Sequence, residues 1–113
     1  MEDGNQISTV EQQRKVMAGV AHQILDGKIG IVAGARELVR LRFPSRAESD
    51  EDILVFVGID SETDHLPLGE IRRLWNREVL KIKDEELMRY EVQVKERAFN
   101  ACKNLIAKFE HTD

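Results

Sequence analysis

Apolar residues recur along this chain mostly at helical spacing, and that periodicity divides it into segments. Val10, Met17, Val20, Ala21 and Ile24 fall on one face and predict a helix over residues 9–26. Ser8, followed three residues later by Glu11, has the spacing of a capping box at its start. Asp26-Gly27 is a natural stop, because glycine accepts the left-handed conformation that ends helices. Ile31, Ala35, Leu38 and Val39, with Val32 and Leu41 at the flanks, predict a second helix over 30–43. It ends before Pro44, since the residue preceding a proline is biased out of the α region. Gly30 and Gly34 weaken this helix by roughly 1 kcal/mol each relative to alanine, unless they permit close packing against the first helix. The short Gly27-Lys28 connection makes the two an antiparallel hairpin.

The next apolar run, Ile53-Leu54-Val55-Phe56-Val57-Gly58-Ile59, has the composition of a buried strand. Ser49 or Asp50 as a cap, and Asp50, Glu51 and Asp52 at the positive end of a helix dipole, favour a helix instead. A strand would find partners only in short pieces near 29–33 and 78–82. Residues 60–66 read as a loop rich in capping side chains, with Pro67 suited to the first turn of a following helix. Leu68, Ile71, Leu74 and Trp75 share a face, Asn76 breaks or caps, and 77–82 adds a short turn. The last helix is expected over 84–110, acidic at its start and carrying Lys103 and Lys108 near its end, as the dipole prefers.

That last helix carries two adjacent apolar ridges. One is Met88, Val92, Phe99, Cys102, Ile106 and Phe109; the other is Leu87, Val94, Ala98, Ala101 and Leu105. Together they cover roughly 200°, wider than the stripe a one-sided surface helix needs. At about 40 Å the helix would exceed the diameter of a compact chain of this size, about 34 Å. It should protrude, kink or meet a second subunit. Glu91 and Lys95 lie inside the arc one turn apart, in the favourable order for an ion pair. Full burial of that pair would be costly, so this stretch is expected to be partly exposed, or Lys95 to extend its head to water. The fold expectation is a single all-α domain over 1–113, a small bundle of about four main helices with a long C-terminal one. Residues 1–7 and 111–113 are expected to be disordered. An α+β fold with a small sheet including 53–59 is the alternative.

Composition narrows the function classes. With 113 residues, 42% hydrophobic and 34% charged, the chain fits one soluble domain. No apolar run approaches membrane-spanning length, and the start of the chain has no secretory pattern. The single Cys102 excludes an internal disulfide and fits a reducing compartment, so a cytoplasmic location is expected. With no histidine near it in sequence, it reads as a small core residue rather than a nucleophile. A net charge of −4 gives no support to nucleic-acid binding. The charge is blocked: Lys28, Arg36, Arg40, Arg42 and Arg46 precede an acidic stretch over 47–66 that has no Lys or Arg. The two blocks can pair inside the domain or present a bipolar surface that selects a partner.

The one dense polar constellation is Asp60-Ser61-Glu62-Thr63-Asp64-His65. Oxygen ligands at alternate positions suit a hard cation, but the glycine and trailing glutamate of an EF-hand are missing. A transition metal would need at least two further nitrogen or sulfur ligands, and His22 and His111 are the only other histidines. No metal ligand set, cofactor or catalytic residue is therefore assigned. Ser61, Thr63 and Asp64 can instead hold free backbone N–H groups of a bend. Arg42 is expected to reach inward to Asp60 or Asp64 and lock the loop against the hairpin. The candidate ligand-binding set is Arg42, Asp60, Glu62, Asp64, His65 and Trp75. Arg36, Arg40 and Arg46 could bind an anion, a weaker nucleic-acid signal without interleaved aromatics.

The stretch FVGIDSETDHLPLGEIRRLW, residues 56–75, resembles a motif in small bacterial proteins of unknown function. Ala101-Cys102 to Leu105 is similar to their terminal helix, and the likeness extends over about residues 17–110. The resemblance implies a bacterial, cytoplasmic, stand-alone protein and a 58–67 segment that is more than a connector. It assigns no activity and no catalytic residues. The leading expectation is a non-enzymatic interaction or regulatory module, with a homodimer through the last helix or another protein as partner. The rival is a small-molecule or metal-dependent activity at the 60–65 segment.

Overall fold

The computed structural model describes residues 2–110, and side chains from Thr9 onward. Four α-helices account for most of them: α1 (Glu2–Leu25), α2 (Ile31–Leu41), α3 (Glu51–Glu62) and α4 (Arg77–Phe109). A 3-10 helix, Gly69–Leu74, precedes α4. No strand occurs among the described residues, so the all-α expectation holds and the sheet alternative does not. The expected disorder of 111–113 lies outside the described residues.

Each element has a local cause. Residues 53–59 are helical because Asp50 caps α3, its carboxylate accepting from the backbone N–H groups of Asp52 (2.9 Å) and Ile53 (3.1 Å). Ile53, Phe56 and Ile59 then recur three apart and are fully buried. Helix α1 is already formed at Glu2, so Ser8 lies inside it and is not its N-cap. Gly27, at φ 74°, closes α1 where the sequence places the stop.

Helix α4 is longer than expected. Its start is Asn76, whose side-chain oxygen accepts from Glu78 N (2.8 Å) and Val79 N (3.4 Å). The expected short turn over 77–82 is therefore the first part of one helix of 33 residues. Its buried positions begin only at Val94 and run through Ala98, Ala101, Cys102, Leu105 and Phe109. Before Val94, Leu87, Tyr90 and Glu91 still touch the bundle, and the turns ahead of them project from it. The molecule accordingly extends 54 × 29 × 23 Å, with a radius of gyration of 15.4 Å, above the about 13 Å of a compact chain this long.

The helices pack antiparallel in sequence order where contacts define them. Arg36, midway along α2, meets Asp60 at the end of α3. Asp52, at the start of α3, meets Asn104 and Lys108 in α4, while Glu62 at its end meets Tyr90. Met17, Ala21 and Ile24 of α1, Val32, Ala35 and Leu38 of α2, and the buried residues of α3 and α4 form one core. Cys102 lies in that core, and burial pushes its thiol up to about 12. It is a packing residue, with no thiolate at neutral pH.

Glu91 resolves the oddity of a carboxylate in the apolar arc. Gly30 is the N-cap of α2 and has no side chain to offer. Glu91 reaches across from α4, and its Oε2 accepts from Val32 N at 2.9 Å. It caps a helix other than its own, and Lys95 lies over the Phe99 ring instead of pairing with it. Replacing Glu91 with alanine should destabilise the fold by about 1 kcal/mol, the usual value of an N-cap. Glu91→Gln, which keeps an acceptor oxygen, should recover part of that. Urea midpoints of the three proteins check it.

Candidate functional site

The candidate residues do not converge as one set. Helix α3 continues through Glu62, so Asp60, Ser61 and Glu62 belong to its last turn and not to a loop. The helix stops at Thr63, whose hydroxyl donates back to Ile59 O at 2.7 Å. The true connector is Thr63–Leu68, which folds against the projecting part of α4.

Arg42 is not at the site. It caps its own helix, donating to Val39 O at 2.6 Å, and its guanidinium lies over the Phe43 ring. The reason is antiparallel packing. The start of α2 lies beside the end of α3, so Arg36 and not Arg42 is level with the connector. Arg36 donates to Thr63 O (2.6 Å) and Leu66 O (3.0 Å) and pairs with Asp60 at 3.5 Å. The lock expected of an arginine exists, six residues earlier. Arg36→Ala would remove the guanidinium donor from both oxygens, leaving Thr63 O only its bond from Leu66 N–H, and should destabilise the protein by about 2 kcal/mol, the scale of hydrogen bonds to a charged group. Amide exchange should speed up most at Leu66, whose N–H bonds to Thr63 O. Hydrogen exchange and urea unfolding of Arg36→Ala together test that.

The remaining polar residues are divided between two depressions. Glu62 accepts from the Tyr90 hydroxyl at 2.6 Å. Burial, aided by the Glu62 charge, pushes Tyr90 up to about 12, so it stays a donor and is no base. His65 pairs with Glu86, and that hydrogen bond holds the Glu86 carboxyl below its ordinary value. These groups border a cavity of about 200 Å³. On the other side of His65 lies a cleft of about 220 Å³, walled by Asp64, His65, Leu66, Pro67, Leu68, Ile71 and Trp75, with Arg36 at its base. Asp64, His65 and Trp75 are thus brought together; Asp60 and Glu62 are spent on neighbours, and Arg42 is elsewhere.

The 3-10 helix closes the cleft. Arg72 makes a two-pronged contact with Asp84 (2.7 and 2.9 Å), and this hydrogen bonding holds the Asp84 carboxyl below the usual carboxylate range. The face expected from Leu68, Ile71, Leu74 and Trp75 does not pack as a unit. Ile71 is 54% and Leu74 79% exposed.

The chemistry available is limited. Among the described residues, no three His, Cys, Asp or Glu gather where they could hold a metal ion. The acidic block is answered partly from outside the basic one. Lys108 bonds to both Asp50 and Asp52; burial lowers its pKa, but these contacts outweigh that and raise it. Of the three arginines considered for anions, Arg36 holds the connector and Arg40 bonds to Glu37. Arg46 is exposed in a turn at φ 52°. His22 is exposed and pairs with Glu110. The residues that sequence reading missed are Arg36 as the lock, Glu91 as the remote cap, and Tyr90 and Glu86 as partners. Only antiparallel helix order could have found them.

Compared with known proteins, the chain matches no family model, no curated protein and no solved structure. No described helix is long and apolar enough to cross a membrane.

Proposed function

We propose that this is a non-enzymatic interaction module of the bacterial cytoplasm that self-associates through the N-terminal half of α4. The observation that carries this reading is the exposure of large apolar side chains there. Met88 and Val92, one turn apart, are 67% and 72% exposed, and Val79 and Ile82 are exposed on other sides of the same helix. Ile71 and Leu74 are exposed as well, on the 3-10 helix. Only Met88 and Val92 share a side of α4, and it is this exposed apolar pair that supports a contact there. The Cys102 thiol is held protonated in the core, so it serves packing and supplies no thiolate nucleophile.

Sedimentation or light scattering over a dilution series tests the pairing. The expected result is a mass of two chains that falls on dilution, and a single-chain mass for Met88→Glu/Val92→Glu at every concentration. A single-chain mass for the unaltered protein at high concentration overturns the dimer.

A second reading has one supporting observation, the Trp75 wall of the cleft with Asp64 and His65 at its rim. At about 220 Å³ the cleft is smaller than the roughly 300–1,000 Å³ of drug-sized ligand sites. It would suit a group the size of one side chain. A thermal-shift screen of small metabolites and divalent cations tests it, because a ligand at 100 times its dissociation constant adds about 2.7 kcal/mol.

A further inference from the structure

Beside its buried row, helix α4 carries a second pattern. Lys81, Glu85, Met88, Val92, Lys95 and Phe99 follow one another at alternating spacings of four and three residues. That is the roughly 3.5-residue period of a seam between two helices, and it keeps the six within an arc of about 80°. The arc is centred about 110° around the helix from the middle of the buried row. The connector and the 3-10 helix reach α4 elsewhere, at Glu86 and Asp84. Lys81, Glu85 and Lys95 are exposed along with Met88 and Val92, and Phe99 is half-buried.

The charges in this seam are not spent within the chain. Neither Lys81 nor Glu85 makes a hydrogen bond or ion pair among the described residues, and Lys95 Nζ lies 5.4 Å from the centre of the Phe99 ring. Their order complements itself when reversed. Counted from the point midway between Met88 and Val92, Glu85 and Lys95 are equally far in opposite directions, and so are Lys81 and Phe99. Two copies of α4 run antiparallel about that point therefore set acid against base and cation against ring. A parallel pair in register would instead set Lys81, Glu85 and Lys95 each against its own copy, and like charges so juxtaposed are unfavourable.

We infer that two copies of this chain pair antiparallel along the seam, with Met88 against the partner's Val92 at the centre, Glu85 against the partner's Lys95 to either side, and Lys81 over the partner's Phe99 ring at each end. The inference rests on the self-association proposed above and adds its direction and register. The occupant is a second copy because the complement of each position stands on the same helix, and a two-fold axis uses every such contact twice. The contact runs about 27 Å along α4. Two like pairs also come level, Asp84 with Glu96 and Arg77 with Lys103. The first flanks the seam on opposite sides, about 120° apart, and Asp84 is held by Arg72. The second lies beyond the ends of the seam, where both exposed side chains can turn to solvent. Charged residues at seam positions fix register at a cost in stability, so the pair is one that dilution separates.

The test places one spin label on the full chain and reads the distance between copies. A label on Glu78→Cys lies outside the seam, and Cys102, buried with its thiol pushed up to about 12, does not compete for it. An antiparallel pair sets the two labels about 35–40 Å apart along the axis, whereas a parallel pair sets them about 10–20 Å apart. Sedimentation of Glu85→Lys and of Lys95→Glu accompanies the distance. Each should weaken the pair by about tenfold, by turning both unlike contacts into like ones, and the double variant Glu85→Lys/Lys95→Glu should restore it. A short label distance overturns the antiparallel direction. Single variants that pair as well as the unaltered chain, or a double variant as weak as the singles, overturn the register. In each of these cases the dimer itself survives, whereas a single-chain mass for the unaltered protein at high concentration sinks the dimer and this inference together.

Discussion

Phe56→Ala should lower the stability of this protein by about 3–5 kcal/mol, the range for removing a buried phenylalanine. The Phe56 side chain is fully buried, midway along the buried row of α3, with Ile53 and Ile59 one turn to either side. Helix α3 packs on both α2 and α4. A cavity at Phe56 therefore opens between three elements, and none can close it without losing contacts with the others. Against a total stability of about 5–15 kcal/mol, the variant should be partly unfolded at moderate temperature, with a melting point lower by more than about 10 °C. The comparison that gives this meaning is Leu54→Ala. Leu54 is 51% exposed, so its truncation should change stability by about 0.5 kcal/mol or less. In a strand, Leu54 and Phe56 would share a face and behave alike. In the helix they lie about 200° apart and do not. Equal losses from the two substitutions would contradict α3 as a helix.

That pair of residues also shows what the sequence made legible. Composition alone reads 53–59 as a strand; the cap at Asp50, the acids of the first turn and the shortage of strand partners decide for the helix, and the Asp50 cap is what the structure holds. Capping is local, so it can be read from neighbours in sequence. Asn76 acts by the same rule, yet the helix it starts was placed too late, because acidic Asp84, Glu85 and Glu86 imitate a first turn in mid-helix. Side chains that act across the bundle were not legible. Arg42 and Arg36 both lie in one basic block, and the choice between them depends on which end of α2 meets the end of α3. Glu91 could be recognised as misplaced in an apolar arc, but its partner, the N-terminus of α2, lies 59 positions away in the chain. The two ridges of α4 were both visible; which one is buried was not. The core takes Val94, Ala98, Ala101 and Leu105, with Cys102 and Phe109 from the other ridge, and leaves Met88 and Val92 outside. The difference is angular: Leu87, beside Met88 in the chain, packs on the core, while Met88 and Val92 lie roughly 100° or more around the helix from the middle of the buried row. The candidate site suffered most, since it was drawn from residues adjacent in sequence, and a helix sends adjacent residues to different faces.

Gly34→Ala should destabilise the protein by about 2 kcal/mol, although alanine is the better helix former by about 1 kcal/mol. Gly34 is buried in the second turn of α2. A Cβ built there would sit 2.5 Å from both Cγ1 and Cδ1 of Ile24 on α1. No real contact is that short, so one helix must move or Ile24 must leave its rotamer. Ile24 is itself buried in the core, and forcing an extra methyl into such packing typically costs about 1–3 kcal/mol. The hairpin of α1 and α2 is thus held close by the missing side chain, which is the close packing the glycine permits. Gly58→Ala offers the opposite case. It lies inside α3, where the added Cβ meets nothing within 4 Å, so only the helix-propensity gain remains and stability should rise by up to about 1 kcal/mol. A double-mutant cycle then separates sterics from backbone effects. In an Ile24→Ala background the two clashing atoms are gone, and Gly34→Ala should become neutral or stabilising relative to that background, a coupling of about 2 kcal/mol. If Gly34→Ala is equally harmful with Ile24 and without it, the close approach of α1 and α2 at this point is wrong, and with it the geometry that sets Arg36 level with the connector.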